Sequence, residues 1–153
     1  MSEKRHVVVA GARSQVGVFL LPGLVEAGHR VTALSRQAGE LSSRSGRVTW
    51  RSPEASPADA DGLVSCGPFR LARRLVEKGE RLRSVVAFST TSTVSKRQSK
   101  DRAERTLVTA IAGEEDALKT LCREREITLS SLRPTLVYGC GRDRNLSRLL
   151  RFG

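Results

Sequence analysis

The fold is decided by residues 6–17, His6-Val7-Val8-Val9-Ala10-Gly11-Ala12-Arg13-Ser14-Gln15-Val16-Gly17. The opening run, HVVVA, is β-branched and apolar at consecutive positions, as a strand buried on both faces requires. It stops at a glycine. Beyond the loop, Val16, Leu20, Leu24 and Ala27 fall three or four apart, the spacing of one helical face, and Gly28 stands at the helix C-terminus. Pro22 lies inside this helix and is expected to kink it, because it has no N–H to donate. A strand that turns through glycines into a helix presents backbone N–H groups to an anion. Such a loop wants glycine at the tight turn, glycine where the backbone meets pyrophosphate, and glycine where helix packs on strand. Gly11 and Gly17 take the first and third places. Ser14 takes the second and is small enough for its N–H to face a phosphate. Gln15 and Val16 complete the loop.

Outward from this unit the elements alternate. Val31 to Leu34 reads as a second strand, and the Gly/Ser-rich stretch 37–46 as a mobile loop. Val48 to Trp50 is a weaker third strand; Ser-Pro pairs at 52–53 and 56–57 argue against a full helix after it. Gly62 to Ser65 reads as a fourth strand, closed by Cys66-Gly67-Pro68, and a basic helix follows over 69–78. Val85 to Phe88 reads as a central strand that opens into Ser89-Thr90-Thr91-Ser92-Thr93. A polar stretch then leads to a long helix with Leu107, Ile111, Leu118 and Leu121 on its apolar side. Ile127 to Leu132 is the last strand, running into Arg133-Pro134-Thr135 and Leu136-Val137-Tyr138-Gly139. Strands alternating with helices imply βαβ units with right-handed crossovers. The expected fold is therefore α/β, a doubly wound parallel sheet of the Rossmann type. No internal repeat or domain boundary interrupts it, so residues 1–153 read as one domain.

Composition narrows the function classes. With 153 residues, 39% hydrophobic and 28% charged, the chain is too apolar for disorder. No apolar run approaches the roughly 18 residues of a membrane helix, and the start, MSEKRH, lacks the apolar stretch of a secretory signal. Three cysteines, Cys66, Cys122 and Cys140, cannot all pair, and none sits in a CxxC motif, so a reduced, cytoplasmic setting is expected and zinc is not. The 27 Lys and Arg against 16 Asp and Glu leave a net charge of +11, which draws phosphates. Aromatics make up only 4%, too few for stacking single-stranded nucleic acid, so nucleic acid is a weak alternative partner resting on charge alone.

The second strand carries a further signal at its end. A site for NAD usually places Asp or Glu there to accept from the ribose 2′-OH. Here Ser35-Arg36 stands instead, and Arg13 lies close by in the expected fold. Two guanidiniums and a hydroxyl suit a 2′-phosphate, with no carboxylate at that strand end to repel it. NADP is the expected cofactor, with NAD as the alternative.

The segments VVVAGARSQVG at 7–17, VTALSR at 31–36, VVAFSTTST at 85–93 and ITLSSLRPTLVYG at 127–139 together resemble the extended and atypical short-chain dehydrogenases, which include the NAD-dependent epimerase/dehydratases and nucleoside-diphosphate-sugar epimerases. The resemblance implies a cofactor loop at Gly11, Ser14 and Gly17, with Arg13 and Arg36 near the adenosine ribose. It sets Cys66 and Gly67 beside the central ribose and phosphates. It puts a catalytic hydroxyl in the run after Ser89, at Thr91 with Thr90 and Ser92 as alternatives, and Arg133 and Pro134 near the nicotinamide. A nucleotide sugar is the implied substrate, and a homo-oligomer is compatible with it.

Two departures accompany the resemblance. The family's proton donor is a Tyr in a YxxxK motif at the start of the helix after the fifth strand, where a lysine cation lowers the phenol pKa. The matching stretch, 107–115, contains neither residue, and the only tyrosine, Tyr138, belongs to the later turn. The family also continues into a C-terminal substrate domain, which this chain largely lacks, and it reads as a truncated version. A non-catalytic, redox-sensing dinucleotide-binding protein is therefore the alternative to an enzyme.

Other candidates read as structural. His6 and His29 have no adjacent Asp or Cys to suggest a triad. Glu114, Glu115 and Asp116 suggest either a general base or, preferably, a solvated helix face pairing with Lys119. Cys140, between two glycines, reads as exposed and incidental.

Overall fold

A computed structural model describes residues 4–38, 46–54, 58–89, 98–134 and 137. Most of the loop at 37–46, the hydroxyls Thr90, Thr91 and Ser92, and Thr135, Tyr138 and Cys140 lie outside the described residues. The elements in chain order are β1 (His6–Ala10), α1 (Gln15–Glu26), β2 (Arg30–Leu34), β3 (Val48–Arg51), β4 (Gly62–Ser65), α2 (Phe69–Lys78), β5 (Ser84–Phe88), α3 (Arg102–Glu124) and β6 (Thr128–Leu132). The strands form one sheet in the order β3-β2-β1-β4-β5-β6, every neighbouring pair parallel. The doubly wound expectation holds. Val7 pairs with Val31 on one side and Gly62 on the other, so the winding reverses between β1 and β4. That reversal opens a crevice at the carboxyl ends of the two strands. β1 and β4 hold the middle of the sheet; β5, expected to be central, lies one strand from the edge.

Consecutive apolar residues in β1 serve two cores because successive side chains point to opposite faces. Val8 and Ala10 join Leu63, Val85 and Ala87 beneath α2 and α3, whose Leu75, Val76, Leu118 and Cys122 are fully buried. Val7 and Val9 join Val31 and Ala33 beneath α1 through Leu20, Leu21 and Leu24. The helix α1 runs unbroken through Pro22, and ends as the sequence requires. Gly28 at φ +83° lets its own N–H reach the Val25 carbonyl and the His29 N–H reach that of Leu24, the paired bonds of a Schellman cap.

One part of the helical pattern is corrected. Leu107 is 62% exposed, and the buried stripe of α3 instead follows Val108, Ile111, Glu115, Leu118 and Cys122. Leu107 and Val108 are adjacent, about 100° apart around the helix, and only the second faces the sheet.

Candidate functional site

The crevice is built first by the loop after β1. Gly11 sits at φ +69°, and a Cβ there would lie 3.0 Å from the Cys66 carbonyl carbon and 3.2 Å from the Gly67 nitrogen. The turn therefore needs glycine twice over, for its handedness and for its approach to the end of β4. Gly17, in the first turn of α1, is closer still: a Cβ would stand 2.5 Å from the Gly11 carbonyl oxygen. Ser14 caps α1. Its hydroxyl accepts from the Gly17 N–H at 3.1 Å, and its own N–H donates to the Gly11 carbonyl at 2.9 Å. The expectation that the Ser14 N–H faces a phosphate is thus corrected, since the tight turn consumes that donor. Beyond this turn the positive end of α1 begins at Gln15 and Val16.

Gly11, Arg13, Ser14, Ser35, Arg36 and Gly67 line one groove of about 1040 Å³. Its size reaches the upper end of small-molecule and cofactor sites. Ser35 and Arg36 enter from the end of β2 and share the groove's lining with Arg13. A residue not anticipated joins them. Glu54, in the turn after β3, lines the same groove, because β3 is the parallel neighbour of β2 and both end on the same side. The Ser52 hydroxyl, then the glutamate's own backbone N–H, hold its carboxyl below the usual range. A carboxylate thus shares the groove's lining with Arg13 and Arg36, although none stands at the end of β2 itself.

Cys66 lies behind Gly11, half-buried; burial pushes its thiol up, against a bond from Ser14. It stays a thiol at neutral pH and, like Gln15, Val16 and Gly17, does not line this groove. Cys122 is buried in the core, and its thiol too is raised by burial.

Ser89, Arg133 and Pro134 do not line this groove. Ser89 lines a second cavity of about 510 Å³ between α2, β5 and α3, which shares Gly67 and Pro68 with the first. Beside it lies a charge network that a helical-face reading missed. Glu115 is 2% exposed. Its carboxylate accepts from Ser89 Oγ at 2.8 Å, Ser131 Oγ at 3.0 Å and Arg133 at 2.6 Å, with the Lys119 ammonium at 3.3 Å. Burial raises this carboxyl, but the two serines and Lys119 outweigh it and hold it below the ordinary range. Asp116, by contrast, is exposed and pairs with Lys119 at 3.3 Å, as expected of a solvated face. The signal that could have found Glu115 is its phase: it falls on the buried stripe between Ile111 and Leu118.

At the opposite end of the sheet His6 does have an Asp neighbour in space. Nδ1 lies 3.2 Å from Asp59 and Nε2 2.8 Å from the Thr32 hydroxyl. Thr32 is itself buried, and these contacts tie β1, β2 and the turn before β4 together. Among the described residues no cluster of His, Cys, Asp or Glu could hold a metal, and no helix is long and apolar enough to cross a membrane.

No protein-family model matches the chain, and no curated protein does. Solved structures do. A proposed epimerase from Burkholderia cenocepacia J2315 superposes with a TM-score of 0.72 at 16% identity, over 97% of this chain and 60% of its own. The Bordetella bronchiseptica enzyme WbmH, in complex with NAD+, gives 0.63 at 15% identity, over 87% and 57%. UDP-N-acetylglucosamine 4-epimerase from Bacillus cereus gives 0.63 at 13% identity, over 85% and 53%. The chain thus spans little more than half the length of these structures, and what it shares with them is the Rossmann fold, a six-stranded parallel sheet with its crevice between β1 and β4.

Proposed function

We propose that the chain binds a nicotinamide dinucleotide, NADP(H) in preference to NAD(H), across the carboxyl ends of its strands. The observation that carries this reading is the backbone approach at Gly11. A left-handed turn there packs so closely on the end of β4 that a Cβ would meet the Cys66 and Gly67 backbone at 3.0–3.2 Å, which brings the loop and β4 together at the crevice. In this reading the start of α1 holds the pyrophosphate, and Gly67 flanks the central ribose. Arg13, Ser35 and Arg36 receive the adenosine 2′-phosphate. Their two cations outnumber the single carboxylate of Glu54. A bound nicotinamide would supply hydride donation or acceptance. Titration of NADPH and NADH at one ionic strength tests the proposal; absence of saturable binding by either would overturn it.

The catalytic reading extends the family resemblance: an epimerase/dehydratase-type reaction on a nucleotide sugar, with Thr91 as the catalytic hydroxyl and Arg133 and Pro134 near the nicotinamide. A specific observation favours the second reading, a dinucleotide-binding protein without turnover. The stretch 107–115, where the resemblance expects the YxxxK motif, contains neither Tyr nor Lys, so no phenol stands there to move a proton. Loss of general acid–base catalysis typically costs 10²–10⁴-fold in rate. Turnover with a panel of nucleotide sugars at about 1 s⁻¹ or faster, abolished in Thr91→Ala, would decide for the enzyme.

A further inference from the structure

The second cavity, between α2, β5 and α3, holds an unresolved polar group. Glu114 and Glu115 are neighbours on α3, and their carboxylates differ sharply. Glu115 is saturated with donors, whereas Oε2 of Glu114 is buried, has no hydrogen-bond partner among the described residues, and belongs to a residue lining the cavity. Buried acceptors without partners are rare in folded proteins; Oε2 is closed off from solvent, so it is a turn of the Glu114 side chain into the cavity it lines that would bring this carboxylate to a donor there. The rest of the lining is mainly apolar: Phe69, Phe88 and Ile111 provide rings and a branched chain, and Arg70 stands exposed at the rim. The hydroxyl of Ser89, also in the lining, is already spent on Glu115 at 2.8 Å. At about 510 Å³, apolar-walled with a few convergent polar groups, the cavity has the form of a small-molecule site.

We propose that this cavity binds a small molecule with an apolar body and one hydrogen-bond donor, an alcohol or an amine, whose proton the Glu114 carboxylate, turned into the cavity, accepts. The proposal deepens the dinucleotide reading by naming the class of the second ligand, since the cavity adjoins the groove through Gly67 and Pro68. Its polar anchor belongs to no part of the cofactor loop, so the two stand or fall separately.

The test is a titration of the full chain with benzyl alcohol, benzylamine, toluene and benzoate, followed by backbone amide shifts. Benzyl alcohol or benzylamine is expected to bind at least tenfold more tightly than toluene or benzoate and to shift Phe69, Arg70, Phe88 and Glu114. Glu114→Leu should erase that preference, bringing the donor-bearing probes to the level of toluene. If that variant does not fold, Glu114→Gln keeps the shape and removes the charge, and benzylamine should lose at least tenfold. Equal binding of toluene and benzyl alcohol, preference for benzoate through Arg70, shifts confined elsewhere, or a preference that survives both substitutions would overturn the proposal. NADPH titrated into the same samples separates the two readings. Gly11→Val should lose NADPH and keep benzyl alcohol, whereas failure of NADPH alone in the unaltered chain would count against the cofactor reading only.

Discussion

Glu115 Oε1 lies 2.6 Å from the Arg133 guanidinium, joining the middle of α3 to the residue that follows β6. With Ser89 and Ser131 on the same carboxylate, one buried side chain closes the carboxyl ends of β5 and β6. Replacing it leaves Ser89, Ser131, Arg133 and Lys119 without that acceptor. Breaking a buried charge pair costs roughly 3–5 kcal/mol, and Arg133 is 41% exposed and can turn to water, so the lower end applies. Glu115→Leu is expected to destabilise the chain by about 3 kcal/mol, as read from urea unfolding at pH 7. A loss under about 0.5 kcal/mol would show that the network contributes only locally.

The same carboxylate predicts a pH dependence. Its folded pKa lies below the ordinary value, so its stabilisation is fully present above the unfolded carboxylate pKa, about 4.3 for Glu. It is lost as pH falls through the lower folded value. Compared with Glu115→Gln, the unaltered chain should hold its full advantage from pH 7 to about pH 5 and lose it progressively in more acid solution. An advantage unchanged at pH 3 would contradict the assignment.

Two glycines of α1 make opposite predictions. A Cβ at Gly17 would meet the Gly11 and Ala12 carbonyl oxygens at 2.5 and 2.7 Å, backbone that cannot step aside. At Gly23 nothing lies within 4 Å. Gly17→Ala should lose on the order of 2 kcal/mol or more through overpacking, and Gly23→Ala should gain roughly 0.5–1 kcal/mol from helix propensity. Thermal unfolding of the pair checks both signs.

Arg36 and Glu54 should act on cofactor preference in opposite directions. A charge-assisted phosphate contact contributes roughly 1.5–3 kcal/mol, so Arg36→Ala is expected to weaken NADPH about ten- to a hundredfold and to leave NADH little changed. Glu54→Gln removes the opposing charge and should tighten NADPH by a few-fold. Fluorescence titration of both variants with both cofactors reads the result; parallel losses of NADPH and NADH in Arg36→Ala would place the 2′-phosphate elsewhere.

The local periodicities carried most of the fold. β4 at Gly62–Ser65 and α2 at Phe69–Lys78 have the bounds their apolar runs and flanking Gly-Pro residues indicate, because strand and helix signals there are contained within the segment. The glycine spacing at 11 and 17 likewise marks a turn whose demands are local. What escaped was set by neighbours far along the chain. Nothing near Glu115 announces Ser89, Ser131 and Arg133, which reach it only after β5 and β6 pair. Glu54 enters the groove only because β3 lies alongside β2, and His6 meets Asp59 only because β4 pairs with β1 and sets the turn before it beside the start of β1. Leu107 was misplaced for a smaller reason: with Val108 beside it, a shift of one residue changes which of two apolar side chains faces the sheet.

The strand order also governs how the crevice comes into being. No hairpin exists among these strands, so each pairing waits for a crossover, and the pairing that makes the crevice, β1 with β4, brings together residues such as His6 and Asp61 that are 55 positions apart. Closing so long a segment costs entropy before any contact repays it, which makes parallel topologies slow to fold. On a ribosome, the loop at 11–17 emerges early and has no opposing wall until Cys66 and Gly67 follow. Anything that grips both walls at once therefore favours the paired arrangement over open ones, and a tight ligand should slow local opening between β1 and β4 more than at the outer strands β3 and β6.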